Sequence, residues 1–151
     1  MYPSVFNPET TASLLDRLNK LTPESQPHWG KMSVAQMLAH VNVAYDINYG
    51  KTKVHYNWFA RLMLKLFVKS TVVGDKPYKK NGQTAPIFII TDERDFTAEM
   101  SKLETYLHQM EGEGAAAYEG KESPSFGVLT AQEWSNQFYK HLDHHLTQFG
   151  V

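Results

Sequence analysis

Leucines and aromatic residues recur three and four positions apart along most of this chain, and that spacing predicts helices. Asn7 with Pro8 opens the first, which runs to about Leu21 on a stripe of Leu14, Leu15, Leu18 and Leu21. Ser33, with Gln36 three residues on, opens a second over about Val34 to Tyr49. Val34, Met37, Leu38, Val41, Ala44 and Tyr45 centre its apolar arc, and Val43 and Ile47 widen it. A helix apolar around more than half its circumference belongs in the middle of its domain. Trp58, Phe59, Leu62, Met63, Leu66 and Phe67 predict a short helix. Phe96, Met100, Leu103, Leu107 and Met110 predict a long one over about Asp92 to Met110. Thr130 with Glu133 forms a second capping box and Gly150 a stop; between them Trp134, Phe138, His141, Leu142, His145 and Phe149 share one stripe.

The segments between these helices read as irregular. Pro23–Gly30 and Gly50–Asn57 are loops, and Thr71–Thr91 is irregular apart from a short extended run at Pro86–Ile90. Gly112–Leu129 reads as one long loop. There is no internal repeat, no dividing linker and no convincing strand pair, so the expectation is one all-α domain over residues 1–151. Four long striped helices suggest a four-helix bundle with one extra short helix, and the long connections after the second and fourth permit a crossover topology. The short helix carries Trp58, Phe59 and Phe67, enough apolar surface to predict a homodimer that buries part of it, or a cap over one end of its own bundle.

Composition narrows the chemistry. The 15 basic and 16 acidic residues leave a net charge of −1, which provides no electrostatic footprint for nucleic acid. There is no cysteine, so any metal would be held by His, Asp, Glu or water. The first residues lack a signal-peptide pattern, and Trp58–Val68 is too short and too interrupted by Arg61 and Lys65 to span a bilayer. The expected setting is the cytoplasm, without membrane or nucleic-acid partners.

The histidines carry the candidate chemistry. At about 100° per residue, His141 and His145 lie within roughly 20° of Trp134, in the middle of an apolar stripe. Two imidazoles four residues apart are neighbours that one ion can satisfy together. His144 lies roughly 80° away, at the stripe edge, and Asp143 points to the opposite face. His40 falls inside the arc of the second helix, whereas His28 and His55 fall in loops and His108 near the solvent side. Only His40, His141 and His145 are therefore expected to face the interior.

Two segments that carry these residues resemble the DinB-like (YfiT-like) superfamily of metal-dependent proteins, and more narrowly a branch of unknown function. They are Trp29-Gly-Lys-Met-Ser-Val-Ala-Gln-Met-Leu-Ala-His40 and the run from Glu133-Trp134 through Tyr139-Lys-His-Leu-Asp-His-His-Leu-Thr-Gln-Phe-Gly150. Thr91-Asp-Glu-Arg-Asp-Phe96 fits the same branch. The resemblance covers nearly the whole chain. It implies a four-helix bundle with a crossover, and a metal site of one histidine on the second helix plus an i, i+4 pair on the last, which are the positions of His40, His141 and His145. Relatives in the superfamily include thiol-dependent transferases and an isomerase. One departure lies at Ser123-Pro-Ser-Phe-Gly127, where the resemblance calls for a histidine before the proline.

Three neutral imidazoles around a divalent ion leave a coordination position open, which suits a catalytic site. The ligand type fits zinc or nickel and accepts iron or manganese. Ligating histidines need their second ring nitrogen fixed, and Gln148 and Asn48 are the candidates. No general base or nucleophile motif stands out. The reading is a metal-dependent hydrolase or transferase acting on a small molecule. The alternatives are a non-catalytic bundle that binds a metal or small ligand, and a structural bundle whose core histidines are merely hydrogen-bonded.

Overall fold

The computed structural model describes residues 2–151 and is mostly helical. The long helices are α1 (Pro8–Leu18), α2 (Val34–Asn48), α5 (Phe96–Glu113) and α6 (Ala131–Gln148). Between α2 and α5 lie α3 (Trp58–Met63), a π turn (Leu64–Val68), α4 (Lys69–Val73) and a 3₁₀ turn (Pro86–Phe88). A second 3₁₀ turn (Ala115–Ala117) and a two-residue hairpin, β1 (Glu122–Ser123) with β2 (Gly127–Val128), join α5 to α6.

The helix starts follow local chemistry. The Ser33 hydroxyl accepts from Gln36 N at 3.2 Å while the Gln36 carboxamide accepts from Ser33 N at 3.1 Å. Thr130 and Glu133 repeat the arrangement at the start of α6. Asp95 caps α5, so that helix begins at Phe96 and not near Asp92. The first helix ends at Leu18, but Leu21 beyond it is still buried.

The core forms where these faces meet. Helix α2 packs on α5 and α6, and α1 packs on the same two. Met37, Leu38, Val41 and Tyr45 meet Leu103, Tyr106, Leu107 and Met110 from α5 and Trp134, Phe138, Leu142 and Leu146 from α6. Each such side chain contributes about 1.5–3 kcal/mol by leaving water. Ten of the fifteen residues of α2 are buried, which is the central position its wide apolar arc predicts. Polar links also tie α2 to α5: Lys102 Nζ donates to Asp46 at 2.7 Å, Tyr106 Oη donates to the other oxygen of the same carboxylate, and Asn42 Nδ2 donates to the Glu99 carboxylate at 2.8 Å.

Two loop expectations are corrected. Pro86–Phe88 is a 3₁₀ turn and not an extended run, because Pro86 at its first position presets the helical φ. The Gly112–Leu129 stretch contains the small hairpin, closed by Gly127 at φ 77, a conformation that glycine adopts without a Cβ clash. Among the described residues no helix is long and apolar enough to cross a membrane.

Candidate metal centre

The packing of α2 on α6 sets His40 opposite His141 and His145. The three ring centroids form a near-equilateral triangle with sides of 4.6, 4.9 and 5.0 Å. One nitrogen from each ring can be chosen so that all three lie within 4.8 Å of one another. The Nε2 atoms of His40 and His141 are 2.9 Å apart. A tetrahedral zinc sphere spaces its nitrogens about 3.3 Å apart, inside the range these atoms span. His40 and His145 are buried, and His141 keeps an edge open to the adjoining cavity.

The chain decides which nitrogen two of the rings present. His40 Nδ1 lies 2.7 Å from the Phe88 carbonyl oxygen. A carbonyl only accepts, so Nδ1 carries the proton and Nε2 keeps a free lone pair. His145 Nδ1 lies 2.8 Å from Gln148 Oε1. The Gln148 amide is oriented in turn, because its Nε2 donates to the Trp29 carbonyl at 2.6 Å. His145 is thereby held as the same tautomer, with Nε2 toward the cluster. Two inward lone pairs, each backed by an oxygen acceptor on the far side of the ring, are the donor set a divalent ion requires. The residues present fit a metal.

Electrostatics supports the same state. Burial pushes His145 down to about 3, aided by His40 nearby. Burial holds His141 well below the ordinary histidine value, with His40, His145 and His144 adding to the effect. Burial also lowers His40, against the opposing pull of the Phe88 carbonyl. The rings are neutral at physiological pH, the form that binds metal.

A cavity of about 1010 Å³ opens from the cluster. Phe88, Phe126 and Trp134 give it apolar walls, and Gln137, Lys76 and Lys79 give it polar ones. The Gln137 Oε1 atom is buried without a hydrogen-bond partner, one turn before His141. On the other side of His40 and His145 lies a smaller cavity of about 240 Å³, bordered by Trp29, Gly30 and Ile90.

Other residues singled out by the sequence fall elsewhere. His144 lies at the rim, where it meets Trp29 and Tyr78 edge-on and borders both cavities, but it is not one of the clustered three. His28, His55 and His108 are exposed. Asp143 pairs with Arg17 at 2.6 Å, on the face away from the cluster. Asn48 is not the partner of His40. Its amide donates to Tyr118 Oη at 3.1 Å and its oxygen accepts from Lys121 Nζ at 2.8 Å, so both ends are engaged two turns away. The Phe88 carbonyl takes the role expected of Asn48. Ser123 lines the large cavity, but its hydroxyl is turned to the Ser125 and Phe126 amides of its own hairpin.

Three contributions escape sequence reasoning. One is the Phe88 carbonyl, a backbone group with no side-chain signal. Another is Gly30, at φ 84, where an added Cβ would lie 2.6 Å from Gln148 Nε2. The third is Lys140, which a helical wheel puts off the apolar stripe but which is buried. Its ammonium donates to the Thr71 and Gly74 carbonyls at 2.6 and 2.7 Å and lies under the Tyr78 ring, and burial pushes it down to about 8. With Asn136, which donates to the Val73 carbonyl at 2.9 Å, it fastens the cavity wall to α6.

Residues 8–150 match the profile of a family described as a protein of unknown function, DUF1569. The chain belongs to that family. Comparison with curated proteins and with solved structures returns no match.

Proposed function

We propose that this DUF1569 protein is a metal-dependent enzyme that holds a divalent ion on His40, His141 and His145 and transfers or hydrolyses a group on a small molecule. The observation that carries this reading is the pair of tautomers fixed by Phe88 and Gln148, which aim two bare nitrogens at the third ring. A hydrogen-bonded core needs no such alignment. The long helices in this reading form a DinB/YfiT-like four-helix bundle with crossover connections, a setting in which facing helices build metal sites from inward side chains.

When bound, the ion supplies Lewis acidity at the inner end of the large cavity. Zinc or nickel suits three neutral imidazoles, and iron or manganese is compatible with them. The chain does the rest. Phe88 and Gln148 hold the ring orientations, and the Trp29 carbonyl holds Gln148. Phe126 and Trp134 keep water from the apolar walls. The buried Oε1 of Gln137, which has no hydrogen-bond partner, is the acceptor on this wall for a substrate N–H or O–H. A cavity of about 1010 Å³ admits a small molecule beside the cluster.

The 2.9 Å contact between the Nε2 atoms of His40 and His141 favours one other reading, a metal-free pair that shares a proton within a structural core. Elemental analysis of untagged protein separates the two. The enzyme reading expects close to one equivalent of metal in the native protein and none in His141→Ala. Loading with cobalt(II) then tests for an open coordination position: added azide should change the visible spectrum. Metal-free native protein that takes up no zinc or cobalt would overturn the metal site, and a cobalt spectrum indifferent to azide would overturn catalysis at it.

A further inference from the structure

The segment between α2 and α5 is the least covered part of the molecule. From Lys51 to Pro86 the only buried residue is Val73. Its helical part, Trp58 to Val73, is nevertheless rich in apolar residues, and the large ones face water. Trp58 is 77% exposed, Phe67 71%, Leu66 59%, Phe59 56% and Leu62 40%. Together they present on the order of 600 Å² of apolar surface, at the upper end of what a monomer normally exposes.

Charge identifies what covers this face. Residues 47–91 hold eight lysines and arginines and one carboxylate, Asp75, a net of +7 in a chain whose total is −1. Arg61 and Lys69 are paired with Glu122 and Glu133. Lys51, Lys53, Lys65, Lys76, Lys79 and Lys80 have no carboxylate partner among the described residues; Lys65 lies within the helical part, Lys76 and Lys79 border the large cavity beside it, and Lys51 and Lys80 lie over the Tyr106 and Trp29 rings. A second copy fits poorly. Outside Trp58–Val73 the large exposed apolar residues are Tyr56, Ile89 and Val128, so only a face-to-face pairing would match apolar to apolar. That pairing would bring together two copies of a segment of net charge +7. Nucleic acid would satisfy the lysines but not five large apolar side chains. An anionic bilayer satisfies both, since aromatic and leucine side chains sink into the headgroup boundary while lysines meet lipid phosphates.

We propose that the Trp58–Val73 helix docks the protein peripherally on an anionic lipid bilayer, inserting Trp58, Phe59, Leu62, Leu66 and Phe67. Val68 and Val72 of the same helix line the large cavity, so docking sets that cavity beside the lipid. The proposal does not depend on a metal or on catalysis.

The test is flotation of the full chain with vesicles of phosphatidylcholine alone and of phosphatidylcholine with phosphatidylglycerol. Partition onto the anionic vesicles should be at least ten-fold stronger, and raising the salt above physiological strength should weaken it. Trp58→Ser/Phe67→Ser should lose at least ten-fold in partition while melting like the parent protein, because both side chains are solvent-exposed. Lys65→Glu should weaken anionic binding and leave the melt unchanged. No binding to either vesicle, or equal binding to both, would overturn the proposal. So would a solution dimer, seen by sedimentation, that the double substitution splits, since it would give the face to a second copy.

Discussion

Gly30→Ala should loosen the metal centre without touching a ligand. Gly30 sits at φ 84, and an alanine Cβ there would lie 2.6 Å from Gln148 Nε2, well inside contact distance. Two costs follow. Holding alanine in the left-handed region costs about 1–2 kcal/mol of fold stability. The Gln148 amide, as the mobile end of a side chain, swings aside and gives up both the Trp29 carbonyl and His145 Nδ1. Losing the partner that orients a ligating histidine typically costs 10- to 100-fold in metal affinity, or about 1.4–2.7 kcal/mol. Gly50→Ala is the control. Gly50 has a similar φ of 70, but its added Cβ meets nothing within 4 Å. It should lose the same 1–2 kcal/mol of stability, on the same principle, and keep its metal affinity. Urea unfolding of the apo proteins reads the first quantity, and zinc competition against a chromophoric chelator reads the second. Equal affinity losses in the two variants, or wild-type affinity in Gly30→Ala, would refute the chain of contacts from Gly30 through Gln148 to His145.

The remaining expectations bear on the same architecture. His141→Ala should abolish tight zinc binding and His144→Ala should leave most of it, as titration calorimetry would show, because only His141 belongs to the clustered three. Lys140→Met should destabilise the apo protein by about 2 kcal/mol, seen as a lower urea midpoint at unchanged slope, because the Thr71 and Gly74 carbonyls lose a charged donor. Burial holds the three clustered histidines below their ordinary value of 6.5, His145 at about 3, so between those values the unfolded chain binds more protons than the folded one. The histidines' contribution to apo stability should therefore be complete above about pH 6.5 and fall as pH drops toward about 3, and protons should also displace the ion, so the holo–apo difference in melting temperature shrinks over the same window.

What could be read from the sequence was what a single helix determines by itself. The capping pairs Ser33/Gln36 and Thr130/Glu133 are three residues apart, and the structure starts α2 and α6 there. The facing of His141 and His145 follows from their separation of four residues, and the position of His40 from the width of the arc around it. Partners distant in the chain were beyond that kind of reasoning. The Phe88 carbonyl reaches His40 across 48 positions, and the Trp29 carbonyl reaches Gln148 across 119. Lys140 misled the wheel for the same reason: its off-stripe direction points at the Thr71–Gly74 backbone, which can bury an ammonium because it supplies two carbonyls. Asn48 lies two turns, about 12 Å, beyond His40 along α2, outside hydrogen-bond reach, and its amide is held by Tyr118 and Lys121.

The distribution of support around the three histidines bears on what the centre is for. His40 is fixed by a 3₁₀ turn that precedes α5, and His145 by Gln148 of its own helix, which Trp29 in the loop before α2 holds in turn. The third ring, His141, instead contacts His40 through Nε2 and faces the large cavity. A purely structural site fills its coordination sphere with protein ligands, whereas a catalytic one keeps a position open. Here the bracing residues Gln148 and Trp29 border only the smaller cavity of about 240 Å³ and Phe88 borders both, while His141 faces only the larger one of about 1010 Å³, with the unpartnered Oε1 of Gln137 one turn before it on α6. Rigid ligands on one side and an accessible, partly polar cavity on the other are what a site needs when a second molecule must reach the ion without dislodging it. That asymmetry gives the catalytic reading its physical content and makes the azide response of the cobalt form the measurement on which it depends.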